Sequence, residues 1–99
     1  MYYDIVIARS ALEQFNRLDA RRRSSVKEAM RKYLGRAPTT IGKSSIKRLR
    51  GLRQPQYRLR VEQVRVFYDV NEEEKRVEVL GFVMKPEAAD WLQEYGVPT

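Results

Sequence analysis

The sequence is organised around residues 43–65, which read KSSIKRLRGLRQPQYRLRVEQVR and continue into VFYD at residues 66–69. This stretch holds eight Lys or Arg and a single acidic residue, Glu62. Its apolar residues alternate with polar ones as in a β-strand: Leu59, Val61, Val64 and Val66. A disordered basic tail lacks such an apolar set, because disorder goes with low hydrophobicity. We therefore predict a small sheet with one apolar face and one face made of guanidinium groups.

Two strands are predicted on either side of Glu62-Gln63, at residues 57–61 and 64–70. If Glu62-Gln63 is the tip of a hairpin, Arg60 lies opposite Arg65 and Arg58 lies opposite Phe67, all on one face. Two arginines directly opposite each other destabilise a sheet, by about 0.2–1 kcal/mol. A single exposed arginine is usually no more than a solvated charge. Three on one face beside an aromatic ring favour anion binding.

The remaining periodicities predict an α+β domain over residues 1–99. Residues 2–7 read as a buried strand, and Ser10 with Glu13 forms a capping-box pattern at the start of a helix that ends near Leu18. Asp19 is a good N-cap for a second helix, and Gly35 suits a left-handed C-cap at its end. The two helices should form an antiparallel hairpin.

The second half of the sequence alternates strands with turn signals. Residues 36–45 and 52–56 read as connections, residues 46–50 and 76–84 as further strands, and residues 71–75 as a turn. A C-terminal helix begins at Pro86 and is stopped by Gly96 and Pro98. The expected order is a strand, two helices, three or four antiparallel strands and a short terminal helix.

The composition points to a globular protein that binds a polyanion. The chain has 99 residues, of which 42% are hydrophobic and 33% charged, enough for one modest core. A formal charge of +7 makes nucleic acid the first partner class to consider, ahead of an acidic protein or an anionic membrane. From Asp69 onward there are eight acidic and three basic residues, so the basic surface belongs to the first two thirds of the chain.

The sequence contains no cysteine and no histidine. This excludes disulfides, thiolate or imidazole metal sites, two-histidine nucleases and Ser-His-Asp hydrolases. We expect no cofactor. No apolar run approaches the length of a membrane-spanning helix, and the first residues carry no signal pattern, so we expect a cytoplasmic protein without a membrane partner.

RNA fits the predicted cationic face better than duplex DNA, because the sequence shows no recognition helix. Single strands are bound by cations together with aromatic rings on which bases stack, at about 1–3 kcal/mol per base. Phe67 and Tyr57 are the aromatic candidates for this stacking. The cations expected to attract RNA beside the three arginines are Lys47, Arg48 and Arg50.

Over nearly its whole length the chain resembles the RelE/ParE superfamily of bacterial type II toxins. The resemblance is carried by SALEQFNRL at residues 10–18, KRLRG at 47–51, YRLRV at 57–61 and VRVFYDV at 64–70. It implies a curved antiparallel sheet packed by an N-terminal helical hairpin. In RelE-type members it implies a toxin that cleaves mRNA in the ribosomal A site, beside the 16S rRNA, and that is neutralised by a cognate antitoxin.

The resemblance also assigns roles to residues. It places the catalytic and phosphate-binding cations of the family at Arg58, Arg60 and Arg65, with a further basic position at Lys85. The cleavage it implies is an attack by the ribose 2′-hydroxyl on the adjacent phosphorus, which needs neither histidine nor a metal ion. Arginine forks suit such a reaction because they stabilise charge on phosphate oxygens.

The chain departs from the family pattern near its C-terminus. Pro86 stands where family enzymes have an arginine, and the catalytic tyrosine would fall near Leu92, with Tyr95 one turn later. Arginine is a poor proton acceptor. The candidates for proton transfer are therefore Lys85, Tyr68 and Tyr95, and the sequence does not rank them.

Three functions follow from this combination. The first is a ribosome-dependent endoribonuclease toxin, or mRNA interferase, that inhibits translation. The second is a ParE-like toxin that inhibits DNA gyrase without cutting RNA, suggested by Pro86 and Leu92. The third is a binding module that has lost catalysis. Either toxin implies an antitoxin that is acidic or carries an amphipathic helix.

Overall fold

A computed structural model of the protein describes residues 2–42 and 45–99. Lys43 and Ser44, the first residues of the basic stretch, lie outside the described residues. The helices are α1 (Arg9–Arg17), α2 (Ala20–Ala29) and α3 (Ala88–Tyr95). The strands are β1 (Asp4–Ile7), β2 (Ile46–Arg48), β3 (Leu52–Gln54), β4 (Tyr57–Val61), β5 (Val64–Asn71), β6 (Arg76–Met84) and β7 (Val97–Pro98). The predicted α+β class is confirmed.

The main sheet has five strands in the order β1-β6-β5-β4-β2. Four of them, β2, β4, β5 and β6, pair antiparallel, as the sequence predicts. The N-terminal strand β1 joins the edge of the same sheet parallel to β6. The chain leaves β1 through the two helices and re-enters the sheet at β2, on the opposite edge.

The β4–β5 hairpin has the predicted register, with Arg60 opposite Arg65 and Arg58 opposite Phe67. Glu62 at its tip takes a left-handed backbone conformation, with φ of 55°. Because side chains alternate between the two faces of a strand, Arg58, Arg60, Arg65 and Phe67 share one side of the sheet, here called the outer face. The other side is the inner face.

The hydrophobic core lies between the inner face and the helices α1 and α2. Its fully buried members include Ala11, Val26, Leu34, Leu59, Val66, Tyr68, Val77 and Val79. Phe15 of α1 reaches Phe82 of β6, with ring centroids 5.2 Å apart. The predicted N-cap of α2 is confirmed, because the carboxylate of Asp19 accepts a hydrogen bond of 2.8 Å from the Arg22 backbone amide.

Two details of the helix ends were predicted wrongly. Helix α1 begins at Arg9 with Ala8 as its N-cap, so Ser10 lies inside the helix and forms no capping box. The sheet fixes this start instead, because the Ala8 amide donates to the Val79 carbonyl at 2.9 Å. Gly35 is right-handed, with φ of −72°. A π-helical turn precedes it, and its amide donates to the Met30 carbonyl at 3.0 Å, so no left-handed cap is needed.

The segment predicted as a plain connection at residues 52–56 contains strand β3, which pairs with the C-terminal strand β7. Asp69 holds the end of this segment: one carboxylate oxygen accepts from the Gln56 amide and the other from the Gln54 side chain, both at 2.7 Å. The pairing of β3 with β7 ties the chain after α3 to the body of the protein. Within the described residues, no helix is long and apolar enough to cross a membrane.

Helix α3 packs on the outer face through Trp91. The Trp91 ring stacks on the Phe67 ring, with centroids 5.0 Å apart and planes 5° from parallel. It also lies against Gly81, the register partner of Phe67, where an added Cβ would be only 2.6 Å from Trp91 Cζ2. Glycine at position 81 is therefore what allows the tryptophan to lie flat on the sheet.

This close approach predicts the effect of Gly81→Ala. The new methyl group has to displace the Trp91 ring, so we expect the free energy of unfolding to fall by about 1–3 kcal/mol, as in other overpacked sites. Urea denaturation followed by the fluorescence of Trp91, the single tryptophan of the chain, measures the change. Gly42→Ala is the control, because its Cβ meets no atom within 4 Å, and it should change stability by less than about 0.5 kcal/mol. Equal effects would contradict the assigned contact.

From the buried hydroxyl of Tyr68 we predict that the stability of the protein depends on pH. The fully buried Tyr68 hydroxyl donates to the Pro38 carbonyl at 2.7 Å, and burial, followed by the neighbouring Tyr57, raises the pKa of Tyr68 above its usual value. An unfolded tyrosine ionises near pH 10, so above about pH 10 the unfolded chain loses a proton that the folded chain keeps. Tyr68 therefore contributes stability that is complete below about pH 10 and is lost as the pH rises further.

The test is Tyr68→Phe, which removes the hydroxyl and leaves the Pro38 carbonyl unsatisfied. At neutral pH we expect a loss of about 1–3 kcal/mol in unfolding free energy. The difference between wild type and variant should stay constant up to about pH 10 and shrink above it, because only the wild type carries the titrating group. A difference that stays constant above about pH 10 would show that Tyr68 does not titrate as assigned.

Candidate functional site

A groove of about 680 Å³ lies on the outer face between α3 and the β2–β4 side of the sheet. Its cations are Lys47, Arg48, Arg50, Arg58, Arg65 and Lys85. The α3 wall is apolar and is formed by Ala88, Ala89 and Leu92, and Leu49 and Phe67 complete the lining. We call this feature the basic groove. It brings together most of the residues that the sequence singled out.

Strand pairing explains why these cations converge. Lys47 on β2 is the register partner of Arg58 on β4, so the two point to the same face. Arg65 on β5 lies between Arg60 on one side and Val83 of β6 on the other. Lys85 follows β6 directly, and its amide donates to the Gln63 carbonyl at 2.7 Å, which places it next to the tip of the hairpin.

Arg65 is held rigidly in the floor of the groove. The residue is only 7% exposed, and its Nη1 donates to the carbonyls of Glu62, at 2.8 Å, and Val64, at 3.3 Å. These bonds fix the guanidinium without neutralising it. A fixed fork binds a phosphate with less loss of conformational entropy than a mobile one.

The arginines repel one another. Burial lowers the pKa of Arg65, and the charges of Arg58 and Arg60 lower it further. Burial and the charge of Arg60 likewise lower the pKa of Arg58. Arginine remains cationic at neutral pH, so the cluster holds like charges in a partly dry environment. A bound anion would relieve this repulsion.

Among the described residues, three cations at the site, Arg60, Arg65 and Lys85, form no ion pair with a carboxylate. The ion pairs of the described residues include Arg21 with Glu62, Arg22 with Asp19 and Arg76 with Glu74. None of these pairs involves Arg60, Arg65 or Lys85. Arg60 is exposed and does not itself line the groove, but it stands opposite Arg65 and adds to the positive potential there.

The expectation that Phe67 offers an open ring to RNA bases is wrong. Phe67 is 1% exposed, because Trp91 covers its ring. Tyr57 does not line the groove either: its ring stacks on Tyr68, with centroids 5.5 Å apart, and the Arg48 guanidinium lies 5.2 Å from its centre. Side-chain alternation turns Tyr57 toward the core, opposite to Arg58.

Two of the proton-transfer candidates lie away from the groove. Tyr95 is on another side of α3, 59% exposed, in a cleft with Ser10 and Gln14. The Tyr68 hydroxyl is buried in the core. Lys85 lines the groove, and so does Leu92, in the wall where the resemblance expects a catalytic tyrosine. A catalytic role for Lys85 or Tyr95 stays a prediction.

Sequence reasoning missed the part that Trp91 and Gly81 play in shaping the groove. From the sequence alone, Trp91 is one apolar residue of the terminal helix, and no local pattern shows which strand a helix covers. The signal that was available is a glycine within a β-branched, aromatic-rich strand, which often marks a close approach of another group. Among residues 2–42 and 45–99, no cluster of His, Cys, Asp or Glu is arranged to hold a metal ion.

Neither a protein-family model nor a curated protein matches the chain. Solved structures of low sequence identity do. The RelBE2 toxin–antitoxin complex of Mycobacterium tuberculosis is similar at 22% identity, over 85% of this chain and 92% of that chain, with a TM-score of 0.71.

Two further structures share the architecture. The RelB–RelE complex of Methanococcus jannaschii matches at 16% identity, over 87% of this chain and 96% of that chain, with a TM-score of 0.66. A mutant of Escherichia coli RelE in the free state matches at 22% identity, over 95% and 94% of the two chains, with a TM-score of 0.62. The chain has the RelE fold.

Proposed function

We propose that this protein is the toxin of a type II toxin–antitoxin system, and that it cleaves mRNA in the A site of the ribosome. The observation that carries the proposal is the convergence of Arg58, Arg65 and Lys85 on one groove of a RelE fold, with Arg60 beside it. The protein would act in the cytoplasm, where ribosomes and mRNA are found.

The proposed reaction is a transesterification within the RNA. The 2′-oxygen of one ribose attacks the adjacent phosphorus, the bond from phosphorus to the 5′-oxygen breaks, and a 2′,3′-cyclic phosphate and a 5′-hydroxyl form. The 2′-hydroxyl loses its proton to a solvent water, and the leaving 5′-oxygen gains one from the protein. Negative charge grows on the phosphate oxygens during this step, and fixed donors aimed at such charge lower the barrier most.

The groove residues divide these tasks. The guanidinium groups of Arg58 and Arg65 bind the phosphate oxygens, and because Arg65 is already held by two carbonyls its fork need not reorganise. Lys85 delivers a proton to the leaving oxygen. The lysines of the lining, Lys47 and Lys85, are its side chains that can exchange a proton, since arginine keeps its own.

A cognate antitoxin is the second proposed partner. Two of the similar structures, those from Mycobacterium tuberculosis and Methanococcus jannaschii, are complexes of a RelE toxin with its antitoxin. A protein of net charge +7 with a basic groove favours a partner that is acidic or presents an amphipathic helix with acidic residues. By occupying the basic groove, such a partner would exclude RNA from it.

A ParE-like inhibitor of DNA gyrase is the second candidate function. The observation that favours it is the α3 wall, where Ala88, Ala89 and Leu92 offer no group for proton transfer. In that case the basic groove would bind its target without cleaving RNA. A supercoiling assay with purified gyrase separates the two: inhibition of gyrase together with intact mRNA would establish this function in place of the first.

Arg65→Ala tests the proposed cleavage. The variant loses the fixed fork in the groove floor, and we expect the rate of A-site cleavage to fall by about 10²–10³, as for the loss of one preorganised donor elsewhere. Arg65→Lys keeps the positive charge without the guanidinium fork, and its cleavage rate should lie between those of the wild type and Arg65→Ala. The measurement is the mapping of new mRNA 5′ ends in a reconstituted translation reaction.

The matched control is Arg31→Ala, which removes an exposed cation from the π-helical turn that follows α2, in a surface pocket with Lys32 and Arg36. Its cleavage rate should stay within about threefold of wild type, because exposed charges far from the reacting atoms are screened by salt. Arg60→Ala covers the risk that Arg65→Ala unfolds, since Arg60 is exposed. Wild-type cleavage rates for both Arg65→Ala and Arg60→Ala would refute the assignment of the site.

A further inference from the structure

We propose that Trp91 determines the specificity of the basic groove: by covering Phe67, it leaves a groove that binds single-stranded RNA through its phosphates and does not discriminate among bases. This inference rests on the proposed function, because it takes RNA as the ligand. It concerns a property that neither the fold nor the reaction fixes, namely what part of the RNA the protein reads.

The aromatic surface of the groove is closed. Among the described residues that line it, Phe67 is the one aromatic side chain, and it is 1% exposed. Trp91 lies parallel to its ring at a centroid distance of 5.0 Å. A base cannot stack on a ring whose face is already occupied, so the contribution of about 1–3 kcal/mol per stacked base is absent.

The polar side chains of the lining are all cations, and Arg65 and Arg48 use donors on the protein itself. Arg65 donates to the carbonyls of Glu62 and Val64. Arg48 donates to the carbonyls of Gln56, at 2.7 Å, and Leu49, at 3.3 Å. Reading the edge of a base requires a free pair of donors, or a donor and an acceptor, in fixed geometry. Guanidinium groups bonded in this way retain their charge but have fewer free donors.

The other four cations of the lining, Arg58, Lys47, Arg50 and Lys85, are suited to phosphates. Lys47, Arg50 and Lys85 are exposed, so their long side chains are not fixed in place, and a lysine is a point charge without a fork. The apolar wall of Ala88, Ala89 and Leu92 offers no hydrogen bond to a base edge. Phosphate contacts fix the position of a nucleic acid without carrying sequence information.

Gly81 makes this arrangement possible. Any larger residue at position 81 would meet the Trp91 ring, since an added Cβ is 2.6 Å from Cζ2. The strand pairing puts Gly81 directly beside Phe67, so the space under the tryptophan and the ring that it covers belong to one site. Trp91 is thus a specificity-determining residue that acts by occupying an aromatic surface.

The experiment compares two labelled strands of about 12 nucleotides, one of RNA and one of abasic ribose phosphate, by fluorescence anisotropy with the full chain. For the wild type we expect dissociation constants that agree within about threefold. The logarithm of the affinity should fall with the logarithm of salt concentration with a slope no steeper than about −4, because six groove cations release about 0.7 counterion each.

Trp91→Ala should uncover Phe67 and bind RNA about fivefold or more tightly than the abasic strand, the equivalent of one weak base stack. The double variant Trp91→Ala/Phe67→Leu should again bind both strands alike. Trp91→Phe keeps a ring over Phe67 and should behave as the wild type. Circular dichroism of each variant, compared with the wild type, shows whether it is folded.

Each outcome of this experiment supports or overturns the inference. A wild-type preference for RNA over the abasic strand of tenfold or more would overturn the inference while leaving the proposed cleavage intact, because a site that reads bases can still cut. No salt-dependent binding of either strand would overturn the inference together with the proposed contact between RNA and the basic groove. If the wild type binds RNA and the abasic strand equally well, this result would support the inference even if Trp91→Ala fails to fold.

Discussion

The repulsion among Arg58, Arg60 and Arg65 is the constraint on which the site depends. The register of the β4–β5 hairpin forces these side chains onto one face, where Arg60 stands directly opposite Arg65. Like charges opposite each other cost a sheet about 0.2–1 kcal/mol, and burial of Arg65 adds to that cost. The fold therefore has to supply stability from elsewhere, and it has to do so without placing a carboxylate beside Arg65 that would neutralise the charge.

Two apolar arrangements supply that stability. On the inner face, the strands bury a continuous set of aliphatic residues and Tyr68 against α1 and α2. On the outer face, Trp91 stacks on Phe67 beside the arginines. One part of this face is therefore aromatic and buried, and the other part is cationic. Aromatic stacking contributes about 0.5–1.5 kcal/mol beyond the burial of area. This is of the size needed to offset one unfavourable arginine pair.

The sequence predicts what depends on neighbours along the chain and fails where distant segments meet. Alternation and a two-residue tip were enough to pair Arg58 with Phe67, and this pairing identifies the cationic face. The parallel docking of β1 and the pairing of β3 with β7 depend on residues far apart in sequence, which no local pattern reports. The place of Tyr95, in a cleft away from the basic groove, could not be predicted for the same reason: helical spacing shows which residues share a side of α3, but not which side meets the sheet.

The covering of Phe67 by Trp91 also gives a reason for the many cations of the groove. A site that stacks bases gains affinity from every ring, whereas a site that binds phosphates gains it from released counterions and loses it steeply as salt rises. Once Trp91 has closed the aromatic surface, affinity depends on charge, and the cations of the lining supply it. The proposed enzyme would gain nothing from reading bases, because the ribosome would set its position on the message. In such a protein, an aromatic ring contributes more by packing α3 onto the sheet than by contacting the RNA.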